Sequence, residues 1–212
     1  MSSVGGGPGA GPRGLGARIV AIPLRWLGLS AGVAALAASG LFGGLEPADK
    51  PEVPPAKVNE LSKGEPWNVT VTGGRLVGDG LPGIRLENPA NRWVVVLATV
   101  EVTAPESRND MNDIIDISGV EGLVEDPILK NLEPQYVIAL RDGVAVSYLQ
   151  PAMPEKLAFF WEQESTAPVP TQVSVTINQK TYRVDTLAGH KAWLDLEPRA
   201  ELTVPIEDRR GK

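Results

Sequence analysis

The chain has no cysteine, and that absence closes several routes at once. Disulfides, thiol nucleophiles, thiolate metal sites and acylation of a lipoprotein cysteine are all excluded. Histidine is almost as scarce: a single His190 rules out both a Cys–His pair and a histidine-rich zinc site. Carboxylates are missing from the first 45 residues, where Arg13, Arg18 and Arg25 give +3. The rest holds seventeen Lys and Arg against twenty-six Asp and Glu, a balance of −9. So acidic a body repels phosphate backbones and anionic lipid headgroups, and no nucleic-acid partner is expected. Without a covalent staple the hydrophobic core alone must hold the fold, which about 150 residues can do.

What is present divides the chain into five parts. Residues 1–18 are rich in Gly and Pro with no apolar face, and read as a disordered cytoplasmic tail. Trp26 to Leu45 is a run of twenty residues without a charge, long enough to cross the hydrocarbon core as a helix. Residues 19–45 are therefore expected to form a single transmembrane anchor. The arginines before it place the N-terminus in the cytoplasm and the C-terminal domain outside. Two readings compete: a buried soluble helix, and a cleaved signal peptide, because Ala35-Leu36-Ala37 and Ala37-Ala38-Ser39 are small-residue sites. Residues 46–65, with Pro47, Pro51, Pro54 and Pro55, read as a Pro-rich linker of extended polyproline II character. Residues 66–206 form the exported domain and 207–212 a short C-terminal tail.

Within the domain the apolar period is two. Val69 and Val71 alternate with polar neighbours until Gly73-Gly74, a pair that suggests a bulge or sharp bend inside a strand. Residues 92–103 make the clearest strand, apolar on both faces at its start and on one at its end. Tyr136–Leu140 and Val144–Leu149 flank Arg141-Asp142-Gly143, a hairpin signal because such a turn needs positive φ. Leu157, Phe159 and Trp161 alternate next, then Val173, Val175 and Ile177. A polar turn is expected at Asn178–Lys180, ahead of Tyr182 and Val184, and Leu202, Val204 and Ile206 close the domain. Seven or eight short strands without a long amphipathic helix describe a mainly β chain, an antiparallel β-sandwich. The acidic stretch Glu106–Pro134 has no steady period and reads as a long connection over one end.

Three segments carry a resemblance: WVVVLATVEV (93–102), YVIALRDGVAVSYL (136–149) and LQPAMPEKLAFFWEQ (149–163). Their order resembles the immunoglobulin-like, telokin-like domains of bacterial lipoproteins and single-pass surface proteins. The whole layout is similar to actinobacterial membrane-anchored proteins rich in Ala, Gly and Pro. The resemblance implies an immunoglobulin-like β-sandwich over about residues 66–206 and no shared catalytic motif. The chain departs from it in its helical anchor and in the length of 106–134.

Chemistry is thin. No Gly-x-Ser-x-Gly marks a nucleophile for His190, so no catalytic residue and no cofactor are assigned. Asp110, Asp113 and Asp116 are the metal candidates, since Ca²⁺ wants several convergent oxygens. Their spacing fails the EF-hand pattern, with Ile115 where the glycine belongs, and a solvated acidic loop is the plain alternative. Asn68-Val69-Thr70 is a formal glycosylation sequon lying in a strand, and is discounted. Trp93 and Trp161 read as core, while Trp67 and Trp193 at element ends could offer a sugar platform. The expectation is a non-catalytic, membrane-tethered extracytoplasmic domain that binds a protein partner or supports an envelope complex. A ligand- or polysaccharide-binding module is the alternative, and a divergent hydrolase comes last.

Overall fold

The alternation of period two is realised as seven strands in the computed structural model of the chain, which describes residues 52–79, 81, 83–126 and 131–211. They are β1 (Trp67–Val77), β2 (Arg92–Val102), β3 (Ile115–Ser118), β4 (Tyr136–Ala139), β5 (Glu155–Gln163), β6 (Gln172–Val184) and β7 (Lys191–Asp208). Their hydrogen-bonded order is β3-β6-β7-β1-β2-β5-β4. Every pairing is antiparallel except that of β1 with β7, which run parallel only over Gly74–Leu76 and Ile206–Asp208. The fold is mainly β and sandwich-like. The expected tail 1–18 and anchor 19–45 lie outside the described residues, among which no helix is long and apolar enough to cross a membrane.

The core follows from strand phase. On β2, Val94, Val96, Ala98, Val100 and Val102 join Leu157, Phe159 and Trp161 of β5 and Val173, Val175 and Ile177 of β6 in one buried cluster. Trp67 crosses that core, its indole N–H donating to the Asn178 carbonyl on β6 at 2.8 Å. The other face of β2 is also covered. Trp93 and Val95 pack with Phe160, Ile138, Ile84 and Leu86 in a second cluster, so Trp93 and Trp161 are both buried but on opposite faces. The segment 84–88 is held there partly by Glu162, whose buried carboxylate accepts the Glu87 N–H at 2.8 Å and the Asn91 amide at 2.7 Å. A continuous apolar run in a strand is the signature of cover on both faces.

The double glycine does what its position suggests. The register of β1 against β2 slips between Val71 and Gly73, and β7 passes so close to Gly74 that a Cβ there would lie 3.0 Å from the Pro205 carbonyl. Glycine is needed at Gly74 for close approach of backbone, not for an unusual φ.

Four boundaries differ from the sequence expectation. The linker 46–65 is not free along its second half. Ser62 and Val69 exchange two backbone hydrogen bonds, Asn59 N–H reaches the Val71 carbonyl, and Pro54 and Ala56 bond to Glu201. This strap, residues 54–64, supplies partners that β1 and β7 do not give each other, and prolines 54 and 55 do not block it because their neighbours carry the donors. The acidic connection is not merely an overlying loop: Ile114, Ile115 and Ile117 are buried, and Ile115–Ser118 is a sheet strand on β6. A single 3₁₀ turn at Met111–Asp113 precedes that strand, which is why no one period runs through the segment. Asn178–Lys180 is no turn but lies inside β6, where two register shifts absorb it. Finally, β7 continues past residue 206 to Asp208.

A candidate docking face at one end of the domain

Beyond Asn178, β6 and β7 leave the core and run on as a two-stranded arm whose turn spans Asp185–His190. Tyr182 faces Trp193 across the arm, and Val184 faces Lys191. The turn is built by Asp185, whose carboxylate accepts the Leu187 N–H at 2.8 Å and the Ala188 N–H at 3.1 Å. Those two bonds, the Leu187 one first, hold the Asp185 carboxyl below its usual range. Gly189 closes the turn at φ +70° with its N–H on the Asp185 carbonyl. The result is a tip with internally bonded amides that presents Leu187 at 98% exposure.

The arm's root is stiffened by stacked charges and rings. The Arg108 guanidinium lies 5.8 Å from the Trp193 ring, Tyr182 packs on Trp193 with centroids 4.9 Å apart, and the Lys191 ammonium is 5.8 Å from Tyr182. Cation, ring, ring and cation form one ladder. The Trp193 indole N–H donates to Glu106 at 2.6 Å, and Arg183 forms an ion pair with Asp195 on the arm.

The acidic stretch carries the fastening. Arg108 exchanges backbone hydrogen bonds with Leu149 at 2.9 and 2.8 Å and grips Asp110 with its guanidinium. Lys180 of β6 lies 2.6 Å from Asp110 and 2.5 Å from Asp113. Burial pushes the Asp110 carboxyl up, but hydrogen bonds from Arg108 and Lys180 outweigh it and hold the group below the usual carboxylate range. Asp116 turns elsewhere, accepting the Asn178 amide at 2.7 Å. The three calcium candidates are thus divided: an internal ammonium occupies the point where Asp110 and Asp113 converge, and Asp116 serves Asn178. Among the described residues no group of His, Cys, Asp and Glu side chains is arranged to hold a metal ion.

The hairpin after β4 projects from the same end. Ala139 N–H bonds to the Val144 carbonyl around the expected Asp-Gly turn, with Gly143 at φ +72°. Its second side is a short bridge rather than a full strand, Val146 N–H to the Val137 carbonyl. Arg141 is tied to Asp142 at 3.1 Å and to Glu155 at 3.0 Å. Here Leu140, Val144, Tyr148 and Met153 are exposed, and on the arm Tyr182, Val184, Leu187 and Leu196. These are eight of the twelve large exposed hydrophobics among the described residues, all at one end. Such concentration differs from the single, scattered apolar side chains of an ordinary surface.

The other sequence candidates fall as follows. Trp67 is buried at 1% exposure, so it makes no joint sugar platform with Trp193. Trp193 itself has Arg108 and Tyr182 against its ring. His190 is exposed in the arm's turn, where its carbonyl accepts the Asp185 N–H. Sequence reasoning missed Lys180, Arg108 and Leu187. The first stood in the stretch read as a polar turn, and the only signal for the last was a Leu-Ala-Gly run ahead of His190.

No family model matches the chain, and no curated protein matches it. Among solved structures it is similar to an uncharacterized β-sandwich protein from Clostridium difficile 630. That likeness has 12% identity and a TM-score of 0.42, over 74% of this chain and 99% of the other.

Proposed function

We propose that the chain is a non-catalytic, immunoglobulin-type (telokin-like) module, tethered to the cytoplasmic membrane through its N-terminal segment, that docks a protein in the extracytoplasmic space as part of an envelope assembly. The observation that carries the docking is the gathering of eight exposed apolar side chains on two braced hairpins at one end. The non-catalytic reading is supported by the lone histidine on an exposed turn and by the engagement of Asp110 and Asp113 with Lys180. The tether is supported by the uncharged run Trp26–Leu45 and the arginines that precede it.

The test is site-specific photo-cross-linking of the full chain in its native membrane. A photo-reactive side chain at position 187 should give a discrete protein adduct, and one at position 169, outside the two hairpins, should give none. No adduct from position 187, or equal adducts from both, would sink the docking face. A reporter fused after Lys212 tests the topology separately, and reporter activity in the cytoplasm would overturn it.

A further inference from the structure

We propose that residues 54–64 are a releasable strap, which leaves and rejoins the sandwich as one piece while the seven strands stay paired. The strap is a two-length device: short when zipped onto Val69, Val71 and Glu201, long when peeled away.

The first reason is what holds the strap. None of residues 54–64 is buried, and only Ala56 and Val58 pack partly against the core. Trp67, Val69 and Val71 of β1, by contrast, are at most 1% exposed. Little apolar surface is therefore uncovered when the strap departs. Five backbone hydrogen bonds, with the Arg199 Nε–H on the Lys63 carbonyl at 3.0 Å, are its main ties. A segment with few buried apolar contacts and a short ladder of edge bonds opens locally, below the cost of unfolding the whole. A cleft of about 330 Å³ between the strap and Arg199-Ala200 of β7 shows that the strap is not packed down as the core strands are.

The second reason is where the bonds sit. Pro54 and Pro55 have no N–H, so the first limb bonds to Glu201 through the Pro54 carbonyl at 3.0 Å and the Ala56 N–H at 2.8 Å. The second limb bonds through Asn59 to Val71 and through Ser62 to Val69. A pull on the chain ahead of Pro54 loads the two Glu201 bonds before it reaches the other three. Release stops at Gly64. The Glu65 and Pro66 carbonyls beyond it hold the Lys180 and Thr103 N–H groups at 2.8 Å, and Trp67 is sunk in the core. What remains is still a sheet: β1 keeps β2, β7 keeps β6, and β1 and β7 stay joined over Gly74–Leu76 and Ile206–Asp208. Release frees the eleven residues 54–64 and adds up to about 40 Å to the chain ahead of the sandwich.

The experiment is amide hydrogen exchange of the full chain in detergent micelles, read residue by residue. The N–H groups of Ala56, Asn59 and Ser62 should share one protection factor with those of Val69 and Glu201, which donate to the strap. That factor should lie at least about a hundredfold below those of Thr70 and Leu202, whose N–H groups point the other way, to β2 and β6. Equal protection of all seven overturns the proposal, because the strap then opens only with the sandwich. A graded series from Ala56 to Ser62 overturns it too, since that is fraying and not release of one piece. A lock supplies the second measurement. The chain has no native cysteine, so Pro55→Cys with Glu201→Cys offers one possible disulfide, across a bridged pair. Oxidised, this variant should slow exchange at Asn59 and Ser62 at least about tenfold, and added thiol should restore it. Unchanged exchange at Asn59 and Ser62 in the oxidised variant means that the two limbs open separately, and overturns the proposal.

Discussion

Lys180 on β6 sets its ammonium 2.6 Å from the Asp110 carboxylate and so ties the base of the arm to a loop seventy residues earlier. The same ammonium holds Asp113 at 2.5 Å and lies 5.8 Å from the Trp67 ring. One lysine therefore joins the acidic stretch, the arm and the core tryptophan.

Removing it should leave two carboxylates facing each other with only Arg108 for relief. Lys180→Met is expected to cost about 2 kcal/mol, between the values for exposed and buried ion pairs. Urea denaturation measures this, and Asp110→Asn added to the variant should recover part of the loss. Calcium at millimolar levels should raise the melting temperature of Lys180→Met more than that of the native chain. Equal rises in both would mean that the ion binds elsewhere.

Acid should act on the same knot. The Asp110 carboxyl is held below the ordinary value of an aspartate by its hydrogen bonds from Arg108 and Lys180, so the folded state favours the ionised form. Its stabilising contribution is present above that value and is lost as pH falls through the lower folded value. Between pH 7 and pH 5 the stability gap between the native chain and Asp110→Asn should stay constant. It should narrow below about pH 4, and a gap that widens there would contradict the assignment.

Neighbouring glycines should behave differently. A Cβ on Gly74 would lie 3.0 Å from the Pro205 carbonyl and 3.2 Å from Ile206 Cγ1, whereas one on Gly73 meets nothing within 4 Å. Gly74→Ala is expected to cost about 1–3 kcal/mol through the forced shift of β7. Gly73→Ala should stay within about 0.5 kcal/mol of the native chain. Thermal denaturation of the two variants decides the matter.

The strap should count as part of the folding unit. Residues 54–64 make five backbone hydrogen bonds to Val69, Val71 and Glu201. At about 1 kcal/mol for each bond, the fragment 66–212 should be roughly 3–5 kcal/mol less stable than the fragment 52–212. Matching urea midpoints for the two fragments would return the strap to the status of a free linker.

The features that were legible in sequence are those set by neighbours in the chain. Alternation over residues 92–103, the Asp142-Gly143 turn and the Gly73-Gly74 bulge all declare themselves within a few residues. The strap was hidden because its prolines argue for an extended tether, and proline only removes its own donor. Residues such as Ala56, Asn59 and Ser62 still pair. β3 was hidden because a four-residue strand after a 3₁₀ turn has no room to show a period. Asn178-Gln179-Lys180 looked like a turn because polar residues interrupt an apolar pattern there. In the fold Asn178 is buried, its amide satisfied by the Asp113 carbonyl and the Asp116 carboxylate. The candidate face depends on pairings such as Lys180 with Asp110 and Trp193 with Glu106, seventy and eighty-seven residues apart, which no local pattern encodes.

Fastening the strap to the sandwich also shortens the leash. If the span that ends at Leu45 is an anchor, only the eight residues 46–53 bridge it to Pro54, whose carbonyl accepts the Glu201 N–H. Fully stretched, eight residues reach at most about 28 Å. On such an anchor, any surface that the Pro54 edge of the sandwich touches would have to lie within the reach of those few residues.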